Sequence, residues 1–245
     1  MALSIPFLPP VTKPGAPLDM PVVYFDDFVT GGYSRDLALS SESDPGAKFS
    51  QVADCGEWLV TVVDGDGDNT ENITCADDAV GGQLAVLTND KDNDSVEMQL
   101  NGESFKAAAG KTLIFETRLK GADVSEFDWF VGLSITDTTV MTAASDRIGF
   151  ECPDSTGDID AISEKDSTQT TTDTTKDIAD NAFVILRVEI SGTTKARFFV
   201  DGSLVATHTT NIPDDEALTP TVCVRNDGGA ANTLTLDYIL VTQER

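Results

Sequence analysis

The sequence predicts an all-β fold: one antiparallel β-sandwich with an extended proline-rich arm in front of it. Three observations support this. Apolar residues recur with a period of two. Within residues 110–136, Leu113, Phe115, Thr117 and Leu119 share one side of a stretch whose other side carries Glu116, Arg118 and Lys120, and Trp129, Val131, Leu133 and Ile135 repeat the pattern. Alternation of β-branched and aromatic residues marks half-buried strands. Turn pairs such as Asn101-Gly102, Ser191-Gly192 and Asp201-Gly202 punctuate the chain at short intervals, and Asp-Gly is a strong hairpin signal. Long helical periodicity is absent, which leaves a sandwich or barrel. The two stretches of 110–136 are expected to pair as a central hairpin, with one face on the core and the other outward.

The elements follow in order. Residues 1–21 contain Pro6, Pro9, Pro10, Pro14, Pro17 and Pro21, six of the ten prolines. Proline fixes φ and removes a backbone donor, so this arm is expected to be extended and to stay out of sheet interiors. Ile5, Phe7 and Leu8 are its candidate anchors to a partner. Residues 22–245 read as one sandwich domain. Residues 22–28 (VVYFDDF) open it, and Gly31-Gly32 break that strand. A polar loop follows, with a short strand near Phe49, and then EWLVTVV at 57–63 puts Trp58, Val60 and Val62 on one face. Strands are expected at 83–88, 95–100, 147–152, 159–164, 183–190, 195–200, 204–208, 221–225 and 233–241. The threonine-rich run 166–176 (DSTQTTTDTTK) is expected to be a polar loop.

With 16 basic and 42 acidic residues, the formal net charge is −26. Such a surface repels nucleic acid and anionic membrane. No stretch approaches the ~18 apolar residues of a membrane span, and the N-terminus lacks the basic and apolar regions of a signal peptide. Cys55, Cys75, Cys152 and Cys223 are widely spaced. This argues against zinc; four cysteines allow three pairings, and free buried thiols suit a reducing compartment.

The chemistry-bearing motifs are few. The single histidine, His208, has no GxSxG partner and reads as a surface or edge residue. Asp158, Asp160 and Glu164 in DIDAISE are the nearest approach to paired glycosidase carboxylates, but they depart from the one-strand ExDxE pattern. Asp64, Asp66 and Asp68, and again Asp90, Asp92 and Asp94, resemble the opening of calcium loops. Asn69 and Ser95 stand at position six, where an EF-hand needs Gly, and Cys75 and Asn101 at position twelve, where it needs Glu. Both read as acidic loops in solvent. No metal, cofactor or catalytic set is expected, and the chain is expected not to be an enzyme.

The runs KTLIFETRLK, DWFVGLSITDTT, DRIGF, ADNAFVILRVE, FFVDGSLV, NIPDDEALTP and TLTLDYILVTQER resemble a family of tailed-phage virion proteins found beside major capsid proteins. The opening DDF and closing LDYILV strands are similar to those of concanavalin A-like, LamG-type jelly rolls, whose terminal strands lie together. The resemblance implies a two-sheet jelly roll acting as a capsid decoration or minor head protein on the virion exterior, made in the host cytoplasm. Its implied partners are the major capsid protein and copies of itself, a trimer favoured, with no nucleic acid and no membrane. The alternative expectation is a lectin-like, carbohydrate-binding adhesion module, with or without calcium.

Overall fold

The computed structural model describes residues 21–29, 58–63, 71–76, 79, 81–153 and 155–245, with the backbone of 48–50. The arm with Ile5, Phe7 and Leu8, and the acidic loop with Asp64, Asp66 and Asp68, lie outside the described residues. The strands are β1 (Val22–Asp26), β2 (Lys48–Ser50), β3 (Trp58–Val63), β4 (Asn72–Cys75), β5 (Leu84–Thr88), β6 (Ser95–Leu100), β7 (Thr112–Gly121) and β8 (Phe127–Ser134). One short helix, α1 (Val140–Ala143), precedes β9 (Arg147–Cys152), β10 (Asp158–Lys165), β11 (Thr168–Asp177) and β12 (Val184–Ser191). The chain continues through β13 (Lys195–Val200), β14 (Ser203–His208), β15 (Thr219–Asn226) and β16 (Asn232–Gln243).

These strands form two antiparallel eight-stranded sheets, the open sandwich of a jelly roll. Sheet A runs β14-β13-β12-β7-β16-β5-β4, and β1 also pairs with β16. Sheet B runs β11-β10-β9-β8-β15-β6-β3-β2. The length of β16 lets its first half pair with β5 and its last residues pair with β1, so the first and last strands lie side by side.

The expected hairpin of 110–136 does not form. β7 pairs with β12 and β16 in sheet A, whereas β8 pairs with β9 and β15 in sheet B. The short polar connection crosses from one sheet to the other. Two stretches with strongly apolar sides bury them better by facing each other than by sharing one face. Leu113, Phe115 and Leu119 form part of one wall, and Trp129, Val131 and Leu133 part of the other. Leu186, Val188 and Phe198 join the first, and Met98, Phe150 and Val222 join the second, all at most 2% exposed. Phe150 meets Phe198 edge-on at 5.6 Å across the two sheets. Burying each such side chain contributes about 1.5–3 kcal/mol.

The run 166–176 is not a loop either. Most of it is β11, a strand at the edge of sheet B that, among the described residues, pairs only with β10. Asp166 and Ser167, at φ 50° and 60°, make the two-residue turn between them. Threonine is β-branched and favours extended backbone, and an edge strand past the end of the core needs no apolar side.

Candidate functional site

Strand register places chemistry on the outer face of sheet B, the side away from the core. Pairing aligns Glu97 of β6 with Cys223 of β15, then Phe130 of β8, Glu151 of β9, Asp160 of β10 and Asp173 of β11. Two residues along, a second row reads Gln99, Thr221, Gly132, Gly149, Ile162 and Thr171. A third holds Thr219, Ser134, Arg147, Glu164 and Gln169. Each row alternates with core residues such as Trp129 and Val131, as the period of two requires.

Arg147, itself buried, organises the β9–β11 side of this face. Its Nε donates to Glu164 at 2.7 Å and its Nη1 to Glu151 at 3.0 Å, while Gln169 Nε2 donates to the other oxygen of Glu151 at 2.9 Å. Glu151 is buried, and burial raises its carboxyl above the ordinary range despite the nearby guanidinium; Asp160 and Glu164 push the same way. Asp160 sits directly across from it on β10, half-buried, with the exposed Gln169, Thr171 and Asp173 on the outer strand. A second buried carboxylate, Asp128, is held by Arg225 and Ser155. Burial raises its carboxyl too, against the pull of Arg225.

The other end of the face is covered. The β8–β9 loop, residues 135–146, folds back over the sheet and carries α1. Val140 and Ala144 pack on Phe130, Ile162 and Cys223 in a small apolar cluster separate from the main core. Beneath the loop, Gly132 and Gly149 face each other on β8 and β9. A Cβ on either would come within 2.3 Å of the opposite strand's carbonyl oxygen, so the strands need glycine there.

The motifs singled out in the sequence distribute as follows. Asp158, Asp160 and Glu164 all lie on the outer face, and Asp160 and Glu164 face β9. Their partners Glu151 and Arg147 were missed, because only long-range register joins them; an Arg and a Glu four apart on a strand otherwise rich in core residues was the available signal. Asp90, Asp92 and Asp94 do not converge: Asp90 lies 3.6 Å from Lys91 at the surface, Asp92 is exposed and Asp94 is buried. Among the described residues, no group of three His, Cys, Asp or Glu is arranged to hold a metal ion.

His208 is buried, not at the surface. Ser163 Oγ lies 2.8 Å from Nδ1 and Thr172 Oγ1 lies 3.0 Å from Nε2. Ser163 donates to the Thr210 carbonyl at 3.1 Å, so its oxygen accepts from Nδ1–H and Nε2 accepts from Thr172. With both nitrogens satisfied and Ser163 fully buried, the group ties the edge of sheet A to the edge of sheet B.

No protein-family model matches the chain, and no curated protein matches it in sequence. Its fold is shared with solved structures. LamA from Z. galactanivorans, in complex with laminaritriose and laminaritetraose, superposes with TM-score 0.57 at 13% identity over 91% of this chain and 98% of that one. An endo-1,3-β-glucanase from Streptomyces sioyaensis gives 0.54 at 15% identity over 95% and 99%. The metal-free carbohydrate recognition domain of Emp46p gives 0.53 at 9% identity over 84% and 94%.

These findings correct the virion reading. The structures named are a glucanase, a carbohydrate recognition domain and a protein holding laminari-oligosaccharides, and none is a phage protein, so membership of a phage decoration family, the capsid protein and a trimer of copies as partners, and the capsid exterior as location are withdrawn. The runs that suggested them supply the walls of the sandwich, such as Phe115, Leu133 and Leu186, and specify a jelly roll without its use. The exclusion of enzyme activity falls as well. It rested on the lack of a one-strand carboxylate pattern, whereas this fold is shared with a glucanase and here Glu151 and Asp160 come together from separate strands.

Proposed function

We propose that this chain is a carbohydrate-active jelly roll whose glycan lies along the outer face of sheet B, over β9, β10 and β11. The observation that carries this reading is the pairing of Glu151 and Glu164 with Arg147 and Gln169, with half-buried Asp160 directly across from Glu151 and the exposed Gln169, Thr171 and Asp173 alongside. Carboxylates and an amide fixed by a shared guanidinium can hydrogen-bond sugar hydroxyls without paying to be ordered first. The shared fold of a structure holding laminari-oligosaccharides supplies the first probe.

One observation favours cleavage over binding alone. Glu151, whose burial favours the proton-bearing form, faces a second carboxyl on the adjacent strand. Neighbouring strands lie about 4.8 Å apart, close to the roughly 5–5.5 Å between the two carboxyls of retaining glycosidases. Glu151 would hold the proton for the leaving oxygen, and Asp160 would face the anomeric carbon.

Calorimetric titration of the full chain with laminaritetraose tests the binding, and release of reducing ends from laminarin tests the cleavage. Asp160→Ala should weaken binding at least about tenfold, by the loss of a charged hydrogen bond. Glu151→Gln should abolish release of reducing ends while binding persists. Absence of binding to laminaritetraose and to a broad glycan panel would sink the proposal.

A further inference from the structure

We infer that the β8–β9 loop, residues 135–146, is a gate over a second, closed part of the same glycan face, built on Phe130 between Glu97 and Glu151. This rests on the proposed glycan reading and adds what regulates it.

The row Glu97, Cys223, Phe130, Glu151 continues the open row of Asp160 and Asp173 inward across the sheet. Its central member is a phenylalanine pointing away from the core, fully covered by the loop. An aromatic ring with Glu151 on the next strand and Glu97 one strand beyond Cys223 is a combination on which a sugar ring stacks, its C–H face on the ring and its hydroxyls on the oxygens. The glycine pair Gly132 and Gly149 leaves the adjacent row bare of side chains at the middle of the sheet. Closed, the ring anchors the small cluster of Val140, Ala144, Ile162 and Cys223 and lies 5.5 Å from the Arg147 guanidinium; opened, its outward face is left to a ligand.

The manner in which the loop is held suits a gate. A hairpin between adjacent strands can close with two residues, so a connection of this length is not needed to join β8 to β9. Its base is closed by Ile135 N–H donating to the Asp146 carbonyl at 3.0 Å. Over the sheet, side chains of and just beyond β6 fasten it. Gln99 donates to the Ile135 carbonyl at 2.9 Å and accepts from Asp137 N–H at 3.0 Å. Glu103 accepts from Thr136 N–H at 2.6 Å, and Glu97 accepts from Val140 N–H at 3.2 Å. The C-terminal end of the segment stays tied to the β10–β11 turn, where Ser167 N–H donates to the Ser145 carbonyl at 2.9 Å and Asp166 N–H to Asp146 at 3.3 Å. Lifting the part around α1 breaks side-chain bonds and the small contact of Val140 and Ala144 on Phe130, Ile162 and Cys223, and leaves the ladders of sheet B whole. The Glu97 and Gln99 oxygens that accepted the loop's amides are then available to sugar hydroxyls, while Gln99 Nε2 stays on Ser134 and Thr221 of the sheet.

The experiment uses the full chain, laminaritetraose and two loop variants. Val140→Ser should loosen the apolar contact, speed amide hydrogen exchange at residues 139–143, and tighten laminaritetraose binding about tenfold. Adding Phe130→Ala to that background should remove the gain. Val140→Cys places a thiol in the apolar cluster that holds Cys223; oxidation should lock the gate and a reductant should restore binding on the same sample. Faster exchange in Val140→Ser with wild-type affinity unchanged would overturn the gate while leaving the glycan site at β9–β11 standing. Failure of the wild type and both variants to bind would overturn the glycan reading, and the gate with it. Binding by Val140→Ser alone would support the gate.

Discussion

His208 shows how a single side chain in this fold acquires a consequence that its local sequence does not suggest. It sits on β14, at one edge of sheet A, between Ser163 of β10 and Thr172 of β11, with the Phe198 ring 4.6 Å away. Burial lowers its affinity for a proton relative to the free side chain. Below the ordinary histidine value near 6.5 the unfolded chain therefore binds more protons than the folded one, and stability is lost as pH falls. Glu97 works in the opposite sense. Burial pushes its carboxyl up to about 7, so its share of stability is present at acid pH and is lost as pH rises through that value. The two slopes oppose each other between about pH 5 and 7, so a melting curve of the wild type alone will look flatter than either group dictates. The difference isolates one of them. His208→Gln, which keeps hydrogen-bonding capacity without the titration, should lose less stability than the wild type between pH 8 and pH 5. Parallel chemical-denaturation curves at the two pH values check this, and equal losses would show that His208 does not charge on unfolding.

At the scale of the element, β11 and the crossing of β7 to β8 show what the sequence could and could not specify. Strands with one apolar side were legible: β6 and β9 have the expected bounds, and Asp201-Gly202, at φ 48° and 77°, turns β13 into β14 as its residues require. The choice between pairing with a neighbour and crossing to the other sheet was not legible, since both turn the apolar sides of β7 and β8 to the core and only the opposing wall, built from distant strands, decides between them. The threonines of β11 were read as a loop because a strand beyond the core displays no alternation. The candidate site was half legible for a related reason. DIDAISE announced Asp160 and Glu164, but Glu151, Arg147 and Phe130 join them only through register between strands. The β10–β11 turn offers a test of the reassignment. Asp tolerates the left-handed region, whereas Ser at φ 60° carries a steric cost that glycine avoids. Ser167→Gly should stabilise the protein by about 0.5–1 kcal/mol, visible as a rise in denaturation midpoint with unchanged slope. A loss of stability would mean that the strand pair is not closed by a turn of this type.

For the whole molecule, the charge balance of 16 basic against 42 acidic residues sets a long-range term that no single contact reveals. Some cations are committed to specific pairs. Arg147 holds Glu151 and Glu164, Arg225 holds Asp128, and Arg187 and Arg197 share Glu189. These pairs are short and partly buried, so salt screens them little. The remaining carboxylates repel one another across the surface, which favours expanded states over the compact one. At 0.01 M ionic strength the screening length is about 30 Å, enough to span much of the domain, and at 1 M it is about 3 Å. Raising potassium chloride across that range should therefore stabilise the protein. A gain on the order of 1–2 kcal/mol corresponds to roughly 3–6 °C in melting temperature for a domain of this size. Sulfate is unsuitable for the test, because it strengthens apolar burial independently of charge. A melting temperature that falls with potassium chloride would mean that exposed ion pairs outweigh the net repulsion, and that the acidic excess is arranged around the basic side chains more closely than the pairs described here.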